Sequence, residues 1–463
     1  MKTPVCVVFD VGKTNKKRLL FDRQYRVVAE TGEAFAEILD DEGFHGDDLP
    51  KLTTWLDESL RNVVADERFD LRAVNVATYG ASFVHVDAAG QPVTPLYNYL
   101  KPFPPTLHAR FYTDRGGVEP FSVETASPDL GMLNSGLQLY WLKHTQPERF
   151  TRVAHSLHLP QFCAYRFTNQ PVAELTSLGC HTGLWSFREG GYHNWLAQEG
   201  IHTVGQPVVP SATTFPMNLG GRTVPVGVGI HDSSAALIPY LRAFAEPFVL
   251  VSTGTWCIAL NPFNDEALTV AELRQDCLLY LTDTGRPVKA SRIFAGNEHE
   301  RVTAHLAAYF HVAPDYYKTV RYDPALITAL RSQFRQSDPA AVDLTQLKES
   351  AFVERNLNEF STYELAYHQF LLDLTAQQTA SIRLVLGSQA AAGRPAVRRI
   401  FVDGGFSRNP LYMYLLAERF PDHELYASEI AQATALGAAL VIENDWNPGG
   451  FDGTQFALER YTT

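Results

Sequence analysis

The chain has 463 residues, 45% of them hydrophobic and 19% charged, enough for two or three packed domains and unlike a disordered composition. With 51 acidic and 39 basic residues the formal net charge is −12, which argues against a nucleic-acid partner, and the one dense basic run is Lys16, Lys17, Arg18. Five cysteines (Cys6, Cys163, Cys180, Cys257, Cys277) lie far apart without a CxxC pair, which excludes zinc and thioredoxin-like sites and predicts buried free thiols in a reducing compartment.

The opening "MKTPVCVVFD" reaches an acid too soon for a signal-peptide core. No run approaches the ~20 apolar residues of a membrane span, so the expectation is a cytoplasmic protein with no membrane partner. "VCVVFDVGKTNKKRLLFD" reads as a strand, a glycine turn and a second strand, and "RVVAETGEAF" adds a third, an antiparallel opening. "LPKLTTWLDESLRNVVA" spaces Leu52, Leu56, Leu60 and Val63 on one helical face, and "LRAVNVATYG" is a buried strand ending at Gly80. The order then restarts. "PFVLVSTGTWCIALNPF" gives strand, turn and strand, "CLLYLTD" a third strand, and "STYELAYHQFLLDLTAQQTASIRLVL" a long helix. "VRRIFVDGGFSRNPLYMYLLAERF" follows as strand, glycine turn and helix, so the two halves share one plan, with a boundary near residues 240–248 and a surface loop at 387–395.

Four glycine turns follow strands: "DVGKTN" (10–15), "GVGIHD" (227–232), "STGTW" (252–256) and "DGGFSRN" (403–409). Glycine lets backbone N–H groups approach a phosphate, and neighbouring hydroxyls add donors. One such turn is ordinary punctuation, whereas four in a duplicated plan point to phosphate binding. There is no GxxxxGK[ST] P-loop, no strand-associated GxGxxG and no GxSxG elbow, and "HERVTAH" (299–305) spaces its histidines six apart where a zinc helix needs four. Asp232, before "SSAALIPYL", suits both a helix N-cap and a carboxylate that takes a proton, and the two roles are compatible. Asp10 reads as a solvated strand end or, just before Gly-x-Thr, as a functional carboxylate. Lys17 reads locally as a solvated strand residue. Met413, Tyr412 and Tyr414 in "NPLYMYLLA" read as helix packing, and the small residues of "QATALGAALVI" as tight helix packing.

"FDVGKTNKKRLLFD", "GIHDSSAAL", "VSTGTW", "FVDGGFSRNPLYMYLLA" and "QATALGAALVI" stand in the order and spacing of the FGGY sugar-kinase family, which the chain resembles over nearly its whole length. The resemblance implies an α/β fold of two actin/ribonuclease-H-like domains with a duplicated core and an active-site cleft between them. It further implies a sugar-binding domain at 1–244 and a nucleotide-binding domain at 245–463. ATP and Mg2+ would be the cofactors and a small-molecule sugar the partner, with a homodimer admitted. By the same resemblance Asp10 would hold the metal, Gly12 and Thr14 line the phosphate turn, and Lys17 reach the transferred phosphate. Asp232 would be the general base, Gly254 and Thr255 a second phosphate turn, and Gly404, Gly405 and Asn409 would lie beside adenosine. His231 before Asp232, and Gly80 in "TYGASF", resemble the sugar contacts of the rhamnulokinase branch, which implies a ketose, a hexulose such as L-rhamnulose or L-fuculose before a pentulose. Three positions depart from the pattern: Lys13 where Thr is common, "YNYLK" (97–101) without its usual acid, and Gln161 in place of Asp. Phosphoryl transfer needs phosphate donors, a metal-holding carboxylate and a carboxylate that orients the attacking hydroxyl, and Asp10, the two Gly-Thr turns and Asp232 make that set. A catalytically idle sugar sensor and an actin-like ATPase are the alternatives, and Asp232 discriminates, since an ATPase needs no sugar-hydroxyl base.

Overall fold

The computed structural model describes residues 2–204, 207–345, 348–387, 396–430 and 432–462. The loop expected over 387–395 lies, from residue 388 onward, outside the described residues. Two compact units result. The first comprises Met1–Ala243, Leu279–Pro287 and Ala431–Gln455, the second Phe244–Leu278, Val288–Ile430 and Phe456–Thr463.

In the first unit, β1 (Thr3–Val11) pairs antiparallel with β2 (Asn15–Phe21), which pairs antiparallel with β3 (Val27–Ala34). A parallel partner on the other edge of β1 needs a crossover, and α1 (Leu49–Ala65) supplies it before β4 (Phe69–Thr78). The Asp48 side chain accepts from the Lys51 backbone N–H at 2.8 Å and caps α1, which buries Leu52, Leu56, Leu60 and Val63 as the spacing predicts. Val5 to Phe9 are wholly buried, so β1 is the spine of the core. A hairpin, Thr214–Leu219 with Arg222–Gly227, extends the sheet beyond β4. Helix Ala433–Val441 belongs to this unit despite its place late in the chain. A Cβ at Gly437 would overlap the Ala235 carbonyl oxygen, and the Asn75 amide donates to Ala438 O at 2.7 Å. That is the tight packing the small residues predict.

The second unit repeats the plan. β5 (Phe248–Thr253) pairs antiparallel with β6 (Cys257–Asn261), which pairs with β7 (Pro287–Ile293). The long helix α2 (Tyr363–Leu386) precedes β8 (Arg399–Gly404), the parallel partner of β5. The order β7-β6-β5-β8 matches β3-β2-β1-β4, with the large helix in the same interval, so the duplication read in the sequence is present in the fold. The place beside β6 goes to β7 and not to "CLLYL", which lies outside it. Polar residues hide β7 from an apolar pattern: Lys289 is buried against Glu272 at 2.5 Å, and Arg292 against Asp276 at 2.9 Å. All five cysteines are free and buried, and among the described residues no helix is long and apolar enough to cross a membrane.

Candidate active site

β1 and β4 run parallel, so their C-terminal ends finish on one edge of the sheet. Asp10 lies opposite Ala77, and Gly80 follows two residues after the end of β4. A short strand, Ile230–His231, also joins β4 and sets His231 opposite Thr78. Asp10, Gly80, His231 and Asp232 therefore come to the strand ends where ligands of α/β sheets usually bind.

Asp232 is the first residue of the helix Asp232–Ala243. Its Oδ1 accepts from the Ser233 N–H at 2.6 Å and lies 3.2 Å from His231 Nε2. An N-cap carboxylate accepts from an amide two or three residues on, and here it accepts from its immediate neighbour, so the cap geometry is not formed. Among the described residues, Oδ2 has no hydrogen-bond partner, and 34% of the side chain stays exposed. Burial raises this carboxyl to about 6. Asp10 is raised to about 7, first by burial and then by the negative charge of Asp232, against the lowering effect of Lys17 on the facing strand. Two neighbouring acids held this close to neutrality gain from a cation. Mg2+ keeps several waters and takes few protein carboxylates beside phosphate oxygens. Asp10 fits the ion on this donor chemistry.

His231 is buried, and burial pulls its imidazole down to about 3, so it is neutral. Its Nε2 lies 3.1 Å from Cys180 Sγ, its backbone N–H donates to Thr176 Oγ1 at 3.0 Å, and Tyr280 packs edge-on at 5.4 Å. Gly80 is needed there. A Cβ would come within 2.9 Å of Cys180 Sγ and 3.0 Å of His231 Cδ2. Gln161 donates to the carbonyls of Val228 and Gly229 at 3.3 and 3.0 Å, so in place of an acid it holds the turn that delivers His231. The acid missing from "YNYLK" comes from elsewhere: Lys101 meets Asp40 at 2.5 Å and Glu42 at 2.9 Å.

In the first phosphate turn the Gly12 N–H donates to Asn15 O at 2.9 Å and Thr14 is exposed. Lys17 Nζ sits 3.2 Å from Gln432 Oε1 and 3.3 Å from Glu30, so its ammonium is held by those two side chains.

In the second unit Gly254 and Thr255 are exposed in the turn between β5 and β6. Gly404, at φ +92°, lies so close to Thr253 that a Cβ would overlap the Thr253 carbonyl oxygen, and the Gly405 N–H donates to that oxygen at 2.9 Å. A cavity of about 490 Å3 opens beside these turns, lined by Gly254, Gly405 and Asn409 together with His299, Tyr317 and Phe406. Asn409 is engaged at both ends of its amide. Oδ1 accepts from Tyr412 N at 3.2 Å and caps the helix Pro410–Arg419, while Nδ2 donates to Tyr367 Oη at 2.8 Å. Tyr367 Oη lies 2.9 Å from His299 Nε2. His299 thus belongs to a pocket and not to a zinc helix, and Tyr412 and Met413 are buried in helix packing as their pattern predicts.

The first unit's site also uses Cys180, Thr176 and Tyr280, none of which sequence reasoning singled out for it; no local motif surrounds them, and only the fold brings them in.

Residues 5–199 match the N-terminal domain of the FGGY family of carbohydrate kinases, 245–329 the carbohydrate kinase FGGY C-terminal domain, and 366–442 the C-terminal domain of the FGGY family. Together these matches take in well over half of the chain, and the chain belongs to the FGGY family of carbohydrate kinases. Among named relatives it is similar to an L-fuculokinase of Salmonella typhi, 25% identical over 277 residues (56% of this chain, 57% of that protein). It is also similar to a rhamnulokinase of Enterobacter sp. (strain 638), 23% identical over 290 residues (58% and 57%). The chain thus spans little more than half the length of these curated relatives. Among solved structures it is similar in fold to a carbohydrate kinase from Novosphingobium aromaticivorans (TM-score 0.79, 24% identity, covering 100% of this chain and 95% of that one). A ligand-bound xylulose kinase from Lactobacillus acidophilus gives TM-score 0.79 at 14% identity, covering 99% and 94%. The two-domain α/β fold is that of these kinases.

Proposed function

We propose that the protein is a cytoplasmic ATP-dependent ketose kinase that transfers the γ-phosphoryl group of MgATP to a hydroxyl of a hexulose such as L-rhamnulose or L-fuculose, with Asp232 as the general base. In this reading the first unit binds the sugar and the second the nucleotide, the split expected at 244/245 being adjusted by Leu279–Pro287 and Ala431–Gln455, which belong to the first unit. One observation carries it: Asp232 stands at the strand ends with Oδ2 unpartnered among the described residues, beside neutral His231 and the close-packed Gly80.

The reaction follows from these groups. A sugar hydroxyl lying at Oδ2 gives its proton to Asp232 as its oxygen attacks the γ-phosphorus. The bond from that phosphorus to the bridging oxygen breaks, and ADP leaves with the electron pair. A base near 6 is ionised at neutral pH and is a stronger acceptor than an exposed carboxylate. His231 is neutral and lies against Oδ1 at 3.2 Å, its Nε2 meeting Cys180 Sγ, so Oδ2 is the oxygen left for the substrate. The Gly12 and Gly254 turns, closed by their own glycine N–H bonds, offer exposed Thr14 and Thr255 to the phosphates, and the pocket at Asn409, Phe406 and His299 takes the adenosine. Mg2+, when bound at Asp10, neutralises charge on the nucleotide phosphates.

The test is ADP release with MgATP across L-rhamnulose, L-fuculose and L-xylulose, with the hexuloses expected to give the higher kcat/KM. ADP released equally without sugar would favour the actin-like ATPase, and ATP binding without any release would favour the sensor.

A further inference from the structure

We infer that Lys13, although it lies inside the first phosphate turn, is a positioning residue for the sugar side of the site and acts through the buried carboxylate of Asp47. The inference rests on the kinase reading above. A lysine in a glycine turn ordinarily serves phosphate as a mobile point charge. Lys13 is not placed for that. Its Nζ lies 2.5 Å from Asp47 Oδ2 and 3.4 Å from Glu37, and 5.7 and 5.6 Å from the ring centres of Tyr79 and Tyr99.

Asp47 is buried, and both of its oxygens are used. Oδ2 also accepts from Tyr79 Oη at 2.8 Å, while Oδ1 faces Lys16 Nζ at 3.2 Å. Lys16, itself buried, donates to the Lys13 carbonyl oxygen at 2.8 Å. One carboxylate thus grips the phosphate turn twice, by the Lys13 side chain directly and by the Lys13 carbonyl through Lys16. The same carboxylate holds Tyr79, the residue before Gly80. The Tyr79 N–H is tied to Val11 O at 3.2 Å, and Ala81 after Gly80 sits at φ +61°, a left-handed conformation unfavourable for alanine. This held turn sets Gly80 against His231, and His231 touches Asp232.

The charges agree with that role. Lys13 and Lys16 are matched by Asp47 and Glu37, so the cluster offers no surplus positive charge to a phosphate. Removing the Lys13 ammonium leaves a buried carboxylate short of a partner, and such a group recruits whatever donor is near. Its remaining donors are Tyr79 and Lys16, which must then hold the charge without Lys13, so the disturbance runs to the Gly80 turn.

Lys13→Met, Lys13→Arg, Tyr79→Phe and the Met/Phe double variant test this, using L-fuculose and L-rhamnulose as sugars and a non-hydrolysable MgATP analogue in calorimetry. Lys13→Met should raise the ketose KM about tenfold, with affinity for the analogue held within about twofold, because a small misplacement acts on the group that orients substrate. Lys13→Arg should recover most of the loss. The double variant should cost no more than the worse single change, since both act through one carboxylate. A fall in analogue affinity with the ketose KM unchanged would make Lys13 a phosphate ligand and overturn the inference, as would strictly additive losses. If wild type releases no ketose-dependent ADP, the kinase reading fails by itself. The inference is then read from analogue binding and a thermal-unfolding cycle of the same variants, where coupling upholds it and additivity with lost analogue binding overturns it.

Discussion

The two units make opposite demands on their polar side chains. At the strand ends of the first, Asp10 and Asp232 are carboxylates raised to about 7 and about 6 by burial, and for Asp10 also by the other acid's charge. In the pocket of the second, polar groups are satisfied: Asn409 caps a helix and donates to Tyr367, which meets His299, and burial holds His299 near 4 and neutral. One region keeps unfavourable charge ready for chemistry, and the other is a hydrogen-bonded surface ready for binding. Substitutions in the first should therefore act on turnover or on the sugar, and in the second on nucleotide affinity.

The largest expected effect is that of Asp232→Asn, which removes the proton acceptor and should lower kcat by about 100- to 10,000-fold, with nucleotide affinity by calorimetry unchanged. A loss of nucleotide affinity instead would erase the proposed division of labour. Next is the pH dependence. Asp232 must be ionised to act, so with Mg2+, ATP and ketose saturating, kcat should be level above its value of about 6 and fall about tenfold per unit below it. A profile flat down to pH 5 would remove Asp232 as the base. Smaller is Tyr367→Phe, which strips Asn409 Nδ2 and His299 Nε2 of their shared partner. Loss of one hydrogen-bonded group of this kind should raise the MgATP KM about five- to tenfold and leave the ketose KM alone. The smallest is a gain in stability. Asp232 holds its proton more tightly when folded than at its ordinary value near 3.8, so its ionisation opposes folding fully above about pH 6 and not below about pH 4. Asp232→Asn should therefore melt about 2 °C above wild type at pH 7.5, with the gap closing toward pH 4. A variant less stable than wild type at pH 7.5 would show that the carboxylate is structural.

Legibility differed between regions for physical reasons. β1, β2, β3, α1 and β4 were readable because their apolar periods are local, and Asp10 and Asp232 because an acid beside a glycine turn is conspicuous. β7 was not readable, because its buried Lys289 and Arg292 are neutralised by Glu272 and Asp276, partners that no period in the sequence reveals. The two-residue strand that sets His231 against β4 is too short to carry a period. Helix Ala433–Val441 announced tight packing by its small residues but not its partner, since Ala235 is some 200 residues away in the chain. Asp47 sits in a segment without a motif, and its importance comes only from the three side chains the fold turns toward it. His299 attracted notice through a false zinc spacing and found its place in the pocket instead.

Phosphorus NMR of the products from MgATP and L-rhamnulose or L-fuculose tests the central claim most directly. The account predicts a sugar phosphomonoester resonance growing in step with ADP, and both products at least about 100-fold slower with Asp232→Asn. Inorganic phosphate appearing in place of the phosphomonoester, or an undiminished phosphomonoester signal from Asp232→Asn, would contradict it.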